Sequence, residues 1–189
     1  DVTGNSSVTV VNAPAVSMSN VADANINFKT ITSTDSTSNG VLLDAVAGEF
    51  NVATSLTVTN SQADGFVVKN SPDLTVSVPV TNVSTGTGAV ANGIVLQNNK
   101  VDATTVNLGQ VTVATTNGTG LVVNDAGVTT TGGTINAQGG ASIAANNADL
   151  NIKLATAVSG SSSGAGLDLT EASGSVVIAT TTVTAPQGN

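Results

Sequence analysis

Histidine, arginine and cysteine are all missing from this 189-residue chain. Histidine is the usual proton-transfer group near neutral pH, and serine–histidine and cysteine–histidine nucleophile systems are excluded without it. A zinc site built on histidine or cysteine is excluded for the same reason. Because no disulfide can form, burial and backbone hydrogen bonds must hold the fold together.

Charge is scarce and mostly of one sign. Twelve acidic residues stand against four lysines, which gives a net charge of −8. The lysines are isolated in the sequence, whereas a protein that binds phosphate backbones needs clustered basic residues. We therefore expect no nucleic-acid partner. No apolar run has the length of a membrane span, so we also expect no membrane insertion by this segment.

Aromatic residues are nearly absent. There is no tryptophan or tyrosine, and the three phenylalanines are Phe28, Phe50 and Phe66. All three fall on positions predicted to point inward, which disfavours an aromatic platform for carbohydrate. Hydrophobic residues nevertheless make up 40% of the chain, which excludes a disordered protein. Most of them are small, and they suit a narrow core of aliphatic side chains.

A glycine followed by alternating apolar residues recurs along the chain. Successive glycines are separated by 25, 28, 27, 20 and 26 residues, a period typical of stacked-repeat architectures. The first and third residues after each glycine are apolar, which indicates a strand with one buried face. The copies are Gly40-Val-Leu-Leu, Gly65-Phe-Val-Val, Gly93-Ile-Val-Leu, Gly120-Leu-Val-Val, a weaker Gly140-Ala-Ser-Ile, and Gly166-Leu-Asp-Leu.

Each repeat holds three short apolar strands and three corners. The pattern predicts an all-β fold, a single-stranded right-handed parallel β-helix (solenoid) of about seven coils, roughly 34 Å long at the strand spacing of a sheet. Hairpin-type dipeptides such as Asn39-Gly40 locally favour an antiparallel sandwich, but a sandwich gives no reason for the fixed offsets. The predicted inward ladder is Val41, Phe66, Ile94, Leu121, Ala141 and Leu167; the predicted polar corner residues are Asp44, Asn70, Asn98, Asn124, Asn146 and Glu171.

The whole chain, residues 1–189, is predicted to be one β-helix domain. Residues 40–185 form the regular coils. Residues 1–39 form a less regular first coil, in which three apolar pairs are the expected strands: Val8 and Val10, Val16 and Met18, Ile26 and Phe28. Because the first residue is Asp1, we expect an excised segment of a longer protein.

The second residue after each glycine should face solvent, yet four successive coils carry an apolar residue there. These residues are Leu42, Val67, Val95 and Val122, and the pattern then changes to Ser142 and Asp168. We name the four the apolar strip. It predicts a contact surface for a partner, a sister chain or a covering segment. The alternative is that β-branched residues are simply good strand formers.

Two further features are candidate binding sites. Asp125, Asp149, Asp168 and Glu171 suggest a weak Ca²⁺ site of oxygen ligands, with solvated surface acids as the favoured interpretation; no other cofactor is expected. Threonine runs suggest an ice-binding face, which requires a regular array. Because the threonines hold no constant distance from the repeat glycine, we predict that no such array exists.

The glycine-led strands, small-residue coils and asparagine corners resemble the right-handed parallel β-helix of bacterial surface proteins, especially autotransporter passenger domains and secreted adhesins. The resemblance implies an extracellular or cell-surface stalk with roles in cell adhesion and virulence, and a protein or glycan receptor or self-association as its partner. The predicted function is non-enzymatic, structural or adhesive, with no catalytic residue. The alternatives are a polysaccharide-acting β-helix enzyme or its carbohydrate-binding module, and a phage fibre or filament subunit.

Overall fold

The computed structural model describes residues 2–87, 90–100, 105–160 and 165–184, and every strand pairing there is parallel. These residues contain no helix. The chain forms a parallel β-solenoid of about seven turns, which confirms the predicted fold class and rejects the sandwich; its right-handed sense stays a prediction. The strands are β1 (Val2–Val11), β2 (Val16–Thr34), β3 (Val41–Ser61), β4 (Phe66–Lys69), β5 (Leu74–Ser77), β6 (Val80–Thr85), β7 (Ile94–Gln97), β8 (Thr105–Asn107), β9 (Gln110–Thr115), β10 (Leu121–Asn124), β11 (Gly127–Thr129), β12 (Gly132–Ala137), β13 (Ile143–Asn146), β14 (Asp149–Ser159), β15 (Leu167–Thr170) and β16 (Ser173–Val183).

Each turn contributes one strand segment to each of three walls. Wall 1 contains the start of β2 and of β3, followed by β4, β7, β10, β13 and β15. Wall 2 contains the middle of β2 and of β3, followed by β5, β8, β11 and the first parts of β14 and β16. Wall 3 contains β1, the ends of β2 and β3, then β6, β9, β12 and the ends of β14 and β16.

Residues 2–39 belong to the same solenoid. Val16 and Met18 open wall 1 against Val41 and Leu43, and the Ile26 and Phe28 pair lies in wall 2 of the same turn. The Val8 and Val10 pair lies one turn earlier, in wall 3. The three apolar pairs therefore span two turns of the solenoid rather than the single coil that was expected.

The core is a set of inward ladders that run along the rod. Phe50 and Phe66 are fully buried, as predicted. The ring of Phe28 meets that of Phe50 edge to face, with centroids 6.4 Å apart. The remaining buried side chains are mostly valine, leucine and isoleucine, which fill a narrow interior without large aromatic residues.

The repeat glycines lie where wall 1 approaches wall 3 of the same turn. A β-carbon on Gly40 would lie 2.3 Å from Cγ1 of Val58, far inside van der Waals contact. Four other pairs approach each other equally closely. A β-carbon added to the glycine would lie 2.1 to 2.3 Å from a γ-carbon of the facing residue in each of them: Gly65 and Val83, Gly93 and Val113, Gly120 and Ile135, Gly166 and Val183. The glycine thus makes room for a branched side chain opposite.

The predicted position of the fifth glycine-led repeat is wrong by two residues. Ile143, not Ala141, pairs with Leu121 and with Leu167 in the wall 1 ladder. Ser142 therefore occupies the glycine position, and its amide donates to the carbonyl oxygen of Gly166 at 2.9 Å.

A side chain fits at Ser142 because the residue in register with Ile135 in that turn is Ala157. In the first turn, too, the glycine is replaced and the facing wall 3 residue is small. The amide of Ala15 donates to the Gly40 carbonyl oxygen at 2.8 Å, and Ser33 stands in register with Val58. In both turns a small wall 3 residue accompanies the loss of glycine.

The corner after wall 1 is a column of residues with left-handed backbone. Their φ angles lie between 47° and 56° in all seven turns, a region that asparagine and aspartate tolerate best; the residues are Asn20, Ala45, Asn70, Asn98, Asp125, Asn147 and Glu171. The predicted corner residues are right at Asn70, Asn98 and Glu171. At Asp44, Asn124 and Asn146 the prediction is one residue too early.

We expect the contact between Gly40 and Val58 to behave as one coupled unit. Gly40→Ala should lower the free energy of unfolding by about 1–3 kcal/mol because the added methyl overpacks the corner. Val58→Ala should lower it as well, by leaving a cavity. The double variant should be less destabilised than the sum of the two, by about 0.5–3 kcal/mol, in urea unfolding.

Gly127→Ala is the matched control for this cycle. A β-carbon there would meet no atom closer than 3.6 Å, and the residue is not among those with positive φ. The substitution should therefore be neutral or stabilising by about 0.4–1 kcal/mol. Additive effects in the Gly40 and Val58 cycle would contradict the account of the corner.

Candidate functional site

The apolar strip is a real column on the outer side of wall 1. Leu42 pairs in register with Val67, which continues through Val95 to Val122. The column continues with Ala144 and then Asp168. The predicted continuation of the apolar strip at Ser142 is wrong. Ser142 occupies the position of the repeat glycine, directly before the wall 1 strand begins.

The centre of this strip is not open to solvent. Val67 is 3% exposed and Val95 is 8% exposed, whereas Leu42 and Val122 are half-buried. Neighbouring side chains in such a column are only about 4.8 Å apart and shield one another along the rod. The expectation of a continuous exposed strip is therefore wrong at its two central residues. Its role as a contact surface stays a prediction.

A polar group borders the strip at the end of the wall 1 strands. Lys69 Nζ lies 3.3 Å from Asp44 Oδ2, and Asn70 Nδ2 donates to Asp44 Oδ1 at 2.9 Å. The hydrogen bond from Asn70, followed by the bond and charge of Lys69, lowers the pKa of Asp44 despite the opposing effect of partial burial. Asn98 Nδ2 extends the chain of bonds by donating to Asn70 Oδ1 at 3.0 Å.

Two of the four acids proposed as a calcium site, Asp125 and Asp149, are held by other groups. Asn147 Nδ2 donates to Asp125 Oδ1 at 2.6 Å. Asp149 lies 3.7 Å from Lys100 Nζ and accepts a hydrogen bond from Ser173. Asp168 points outward from β15, and Glu171 occupies the left-handed corner. Within the described ranges no group of three or more acids is close enough to hold a metal ion.

Wall 3 presents a regular hydroxyl column that the sequence analysis missed. Eight strand segments are in register there, and seven of the eight outward residues are threonine: Thr9, Thr32, Thr57, Asn82, Thr112, Thr134, Thr156 and Thr180. The prediction that no regular threonine array exists is therefore wrong. Because the corners differ in length from turn to turn, counting from the glycine concealed the alignment.

This surface is also free of charge. None of the eight wall 3 segments contains an acidic residue or a lysine, whereas wall 1 carries Asp44, Lys69 and Asp168. The segments are 7–11, 30–34, 55–59, 80–85, 110–115, 132–137, 156–159 and 180–183. We name the outward side of these segments the hydroxyl face.

At one end of the hydroxyl face, side chains of neighbouring turns bond to each other. Thr30 Oγ1 donates to Ser7 Oγ across one turn at 2.8 Å. Threonine is restricted at χ1 by its branched β-carbon, so the methyl and hydroxyl groups keep fixed directions. Neighbouring hydrogen-bonding groups on this surface are therefore about 4.8 Å apart along the rod and about 6.7 Å apart along each strand.

Outside wall 3, the described residues carry small polar groups such as the one around Asp44. One surface concavity lies on wall 2 and is lined by Val128, Asp149 and Leu150, among others. In the portion of the chain that the structure covers, no helix combines the length and apolar character needed to cross a membrane. The hydroxyl face is thus the most distinctive surface of the rod.

A charge in the centre of the apolar strip should destabilise the rod. Val67→Lys should lower the free energy of unfolding by about 1–3 kcal/mol, because it introduces an ammonium group at a buried position. Val122→Lys, at the more open end of the same strip, should change it by less than about 1 kcal/mol. Equal effects of the two substitutions in urea unfolding would contradict the burial of Val67.

The chain was compared with protein families, curated proteins and solved structures. No family model, curated protein or solved structure matches it. The strand pairings of the structure show the repeating coil. Only the resemblance of these coils suggests a relation to bacterial surface proteins.

Proposed function

We propose that this chain is a non-enzymatic structural or adhesive β-solenoid segment of a bacterial surface or secreted protein. The observation that supports this most directly is the hydroxyl face, a charge-free column that keeps register over eight strand segments. A rod with a continuous core and backbone bonds between all turns holds such a surface at fixed spacing. The coil resemblance supports the extracellular location.

The chemistry of the face favours an extended, uncharged partner. Hydroxyl and amide groups such as those of Thr112, Asn82 and Thr134 donate and accept hydrogen bonds without selecting a charge. A neutral glycan chain of the receptor or matrix has the same chemistry along its length. Repeated weak contacts at a fixed spacing add through multivalency, so the rod gains affinity from its length.

Charge placed on the face tests this role. Thr112→Lys with Thr134→Lys should weaken binding to a neutral-glycan array or to host cells by at least about tenfold, since each ammonium must be desolvated against an uncharged partner. Asn151 on wall 2 is also exposed, and Asn151→Lys is the matched control for each single wall 3 variant, because each of these adds one positive charge; the double variant adds two. Circular dichroism confirms the fold of each variant.

Equal binding by the wall 3 and wall 2 variants would overturn the assignment of the contact surface. Binding lost only in Val122→Lys would assign the contact to the apolar strip instead. Turnover of an acidic polysaccharide by the unmodified chain would favour the enzymatic alternative. Concentration-dependent light scattering without any glycan binding would favour the filament alternative.

Ice is a second candidate ligand, favoured by the threonine column. Ice binding requires a flat, regular array of groups that order water, and threonine side chains in register on a parallel solenoid provide the regular spacing. The absence of charge supports it further, since charged groups order water around themselves.

Thermal hysteresis and ice recrystallisation test the second candidate. The unmodified chain should arrest ice growth, and the Thr112→Lys and Thr134→Lys variant should lose that activity while Asn151→Lys keeps it. Ordinary freezing behaviour of the unmodified chain would remove this candidate and leave the adhesive role untouched.

A further inference from the structure

Three asparagine–glycine dipeptides, here called steps, occur at solenoid corners, and their hydrogen bonding differs. They are Asn39-Gly40, Asn92-Gly93 and Asn117-Gly118. In an unfolded chain such a step is reactive, because the glycine amide nitrogen can reach the asparagine side chain without obstruction by a β-carbon. Local sequence gives all three the same intrinsic chemistry, so any difference between them comes from the fold.

The first two steps have their attacking nitrogen held in the bonds between turns. The amide of Gly93 donates to the Thr119 carbonyl oxygen at 2.9 Å, and the amide of Gly40 donates to the Asp64 carbonyl oxygen at 3.4 Å. Asn92 is held at its side chain as well, since its Oδ1 accepts the Thr119 amide at 3.0 Å. Reaction at either step first requires the turn to open.

The third step has no such restraint on its nitrogen. Within the described residues, the amide of Gly118 donates to no acceptor. Asn117 is exposed, and its side chain makes a single bond, from Nδ2 to the carbonyl oxygen of Thr87 at 2.9 Å. Among the described residues, Gly118 makes one hydrogen bond, in which its carbonyl oxygen accepts from Thr115 Oγ1 at 2.6 Å; its nitrogen takes no part in it.

We propose that Asn117 is a self-modification site of the folded rod, converted to aspartate and isoaspartate while Asn39 and Asn92 are protected. The Gly118 amide nitrogen loses its proton and attacks Cγ of Asn117. The new N–C bond closes a five-membered succinimide, and the side-chain nitrogen leaves as ammonia. Water then opens either carbonyl, which gives aspartate or, with the backbone routed through the side chain, isoaspartate.

The product changes the local chemistry of the corner. A carboxylate only accepts hydrogen bonds, so it cannot replace the donor that Asn117 gives to Thr87. The backbone here is also tightly packed against the next turn, because a β-carbon on Gly139 would lie 2.4 Å from Cα of Asn117. The longer isoaspartyl backbone therefore loosens this corner and adds a negative charge to it.

Peptide mapping follows all three sites at once. The four lysines place Asn39, Asn92 and Asn117 in separate tryptic peptides, bounded by Lys29, Lys69, Lys100 and Lys153. The chain is aged in mildly alkaline buffer, folded or in concentrated urea, and each peptide is scored by its mass gain and by isoaspartyl methyltransferase labelling. Each rate in the folded state is divided by the rate of the same site in urea.

Folding should slow Asn39 and Asn92 by at least about tenfold relative to urea, since their turns must open first, and should slow Asn117 far less. Asn117→Gln should remove the isoaspartate label from the folded rod, because a glutamine side chain cannot close the five-membered ring. Equal protection of all three sites, or faster modification of Asn92 than of Asn117 in the folded state, would overturn the proposal.

Discussion

The contact between wall 1 and wall 3 at each turn is the constraint on which the rest of this structure depends. Where wall 3 carries a branched residue such as Val58 or Ile135, wall 1 carries glycine; where wall 3 carries Ala157 or Ser33, wall 1 accepts serine or alanine. This exchange lets wall 1 approach wall 3 without steric overlap in each of these turns. The backbone bonds of successive turns stay in register, and register aligns the other columns of the rod.

The sequence predicted the architecture because the constraint leaves a periodic mark. A glycine followed by residues such as Val41 and Leu43 identifies the strand, its buried face and its turn. The prediction failed at Ser142, where a paired change removed the glycine that the pattern relied on. It also failed to find the threonine column, since alignment on wall 3 depends on corner lengths that only the pairings between turns reveal.

Two buried polar residues form hydrogen bonds that the repeat pattern does not predict. Asn99 and Ser71 are both fully buried at the corner after wall 1. Asn99 Nδ2 donates to the Val68 carbonyl oxygen at 2.8 Å, and its Oδ1 accepts the Ser71 amide at 2.9 Å. Their side chains replace backbone bonds at an irregular corner, as buried polar groups must be satisfied. The repeat pattern singles out neither residue.

The distribution of charge gives the rod distinct sides. Ion pairs and acids lie on walls 1 and 2 and at the corners, whereas wall 3 is neutral and rich in hydroxyl groups. Net acidity keeps such rods soluble and apart, and a neutral face is then the side on which an uncharged partner can approach without desolvating an ion. The proposed adhesive role follows from this separation of one neutral wall from two charged ones.

Distances between spin labels on the threonine column test the stacking of turns most directly. The chain has no native cysteine, so cysteine pairs can be introduced at Thr32 with Thr134 and at Thr32 with Thr180. The account predicts separations of about 19 Å and about 29 Å, for four and six turns at about 4.8 Å each. A Thr32–Thr180 distance no longer than the Thr32–Thr134 distance, as an antiparallel arrangement would give, would contradict it.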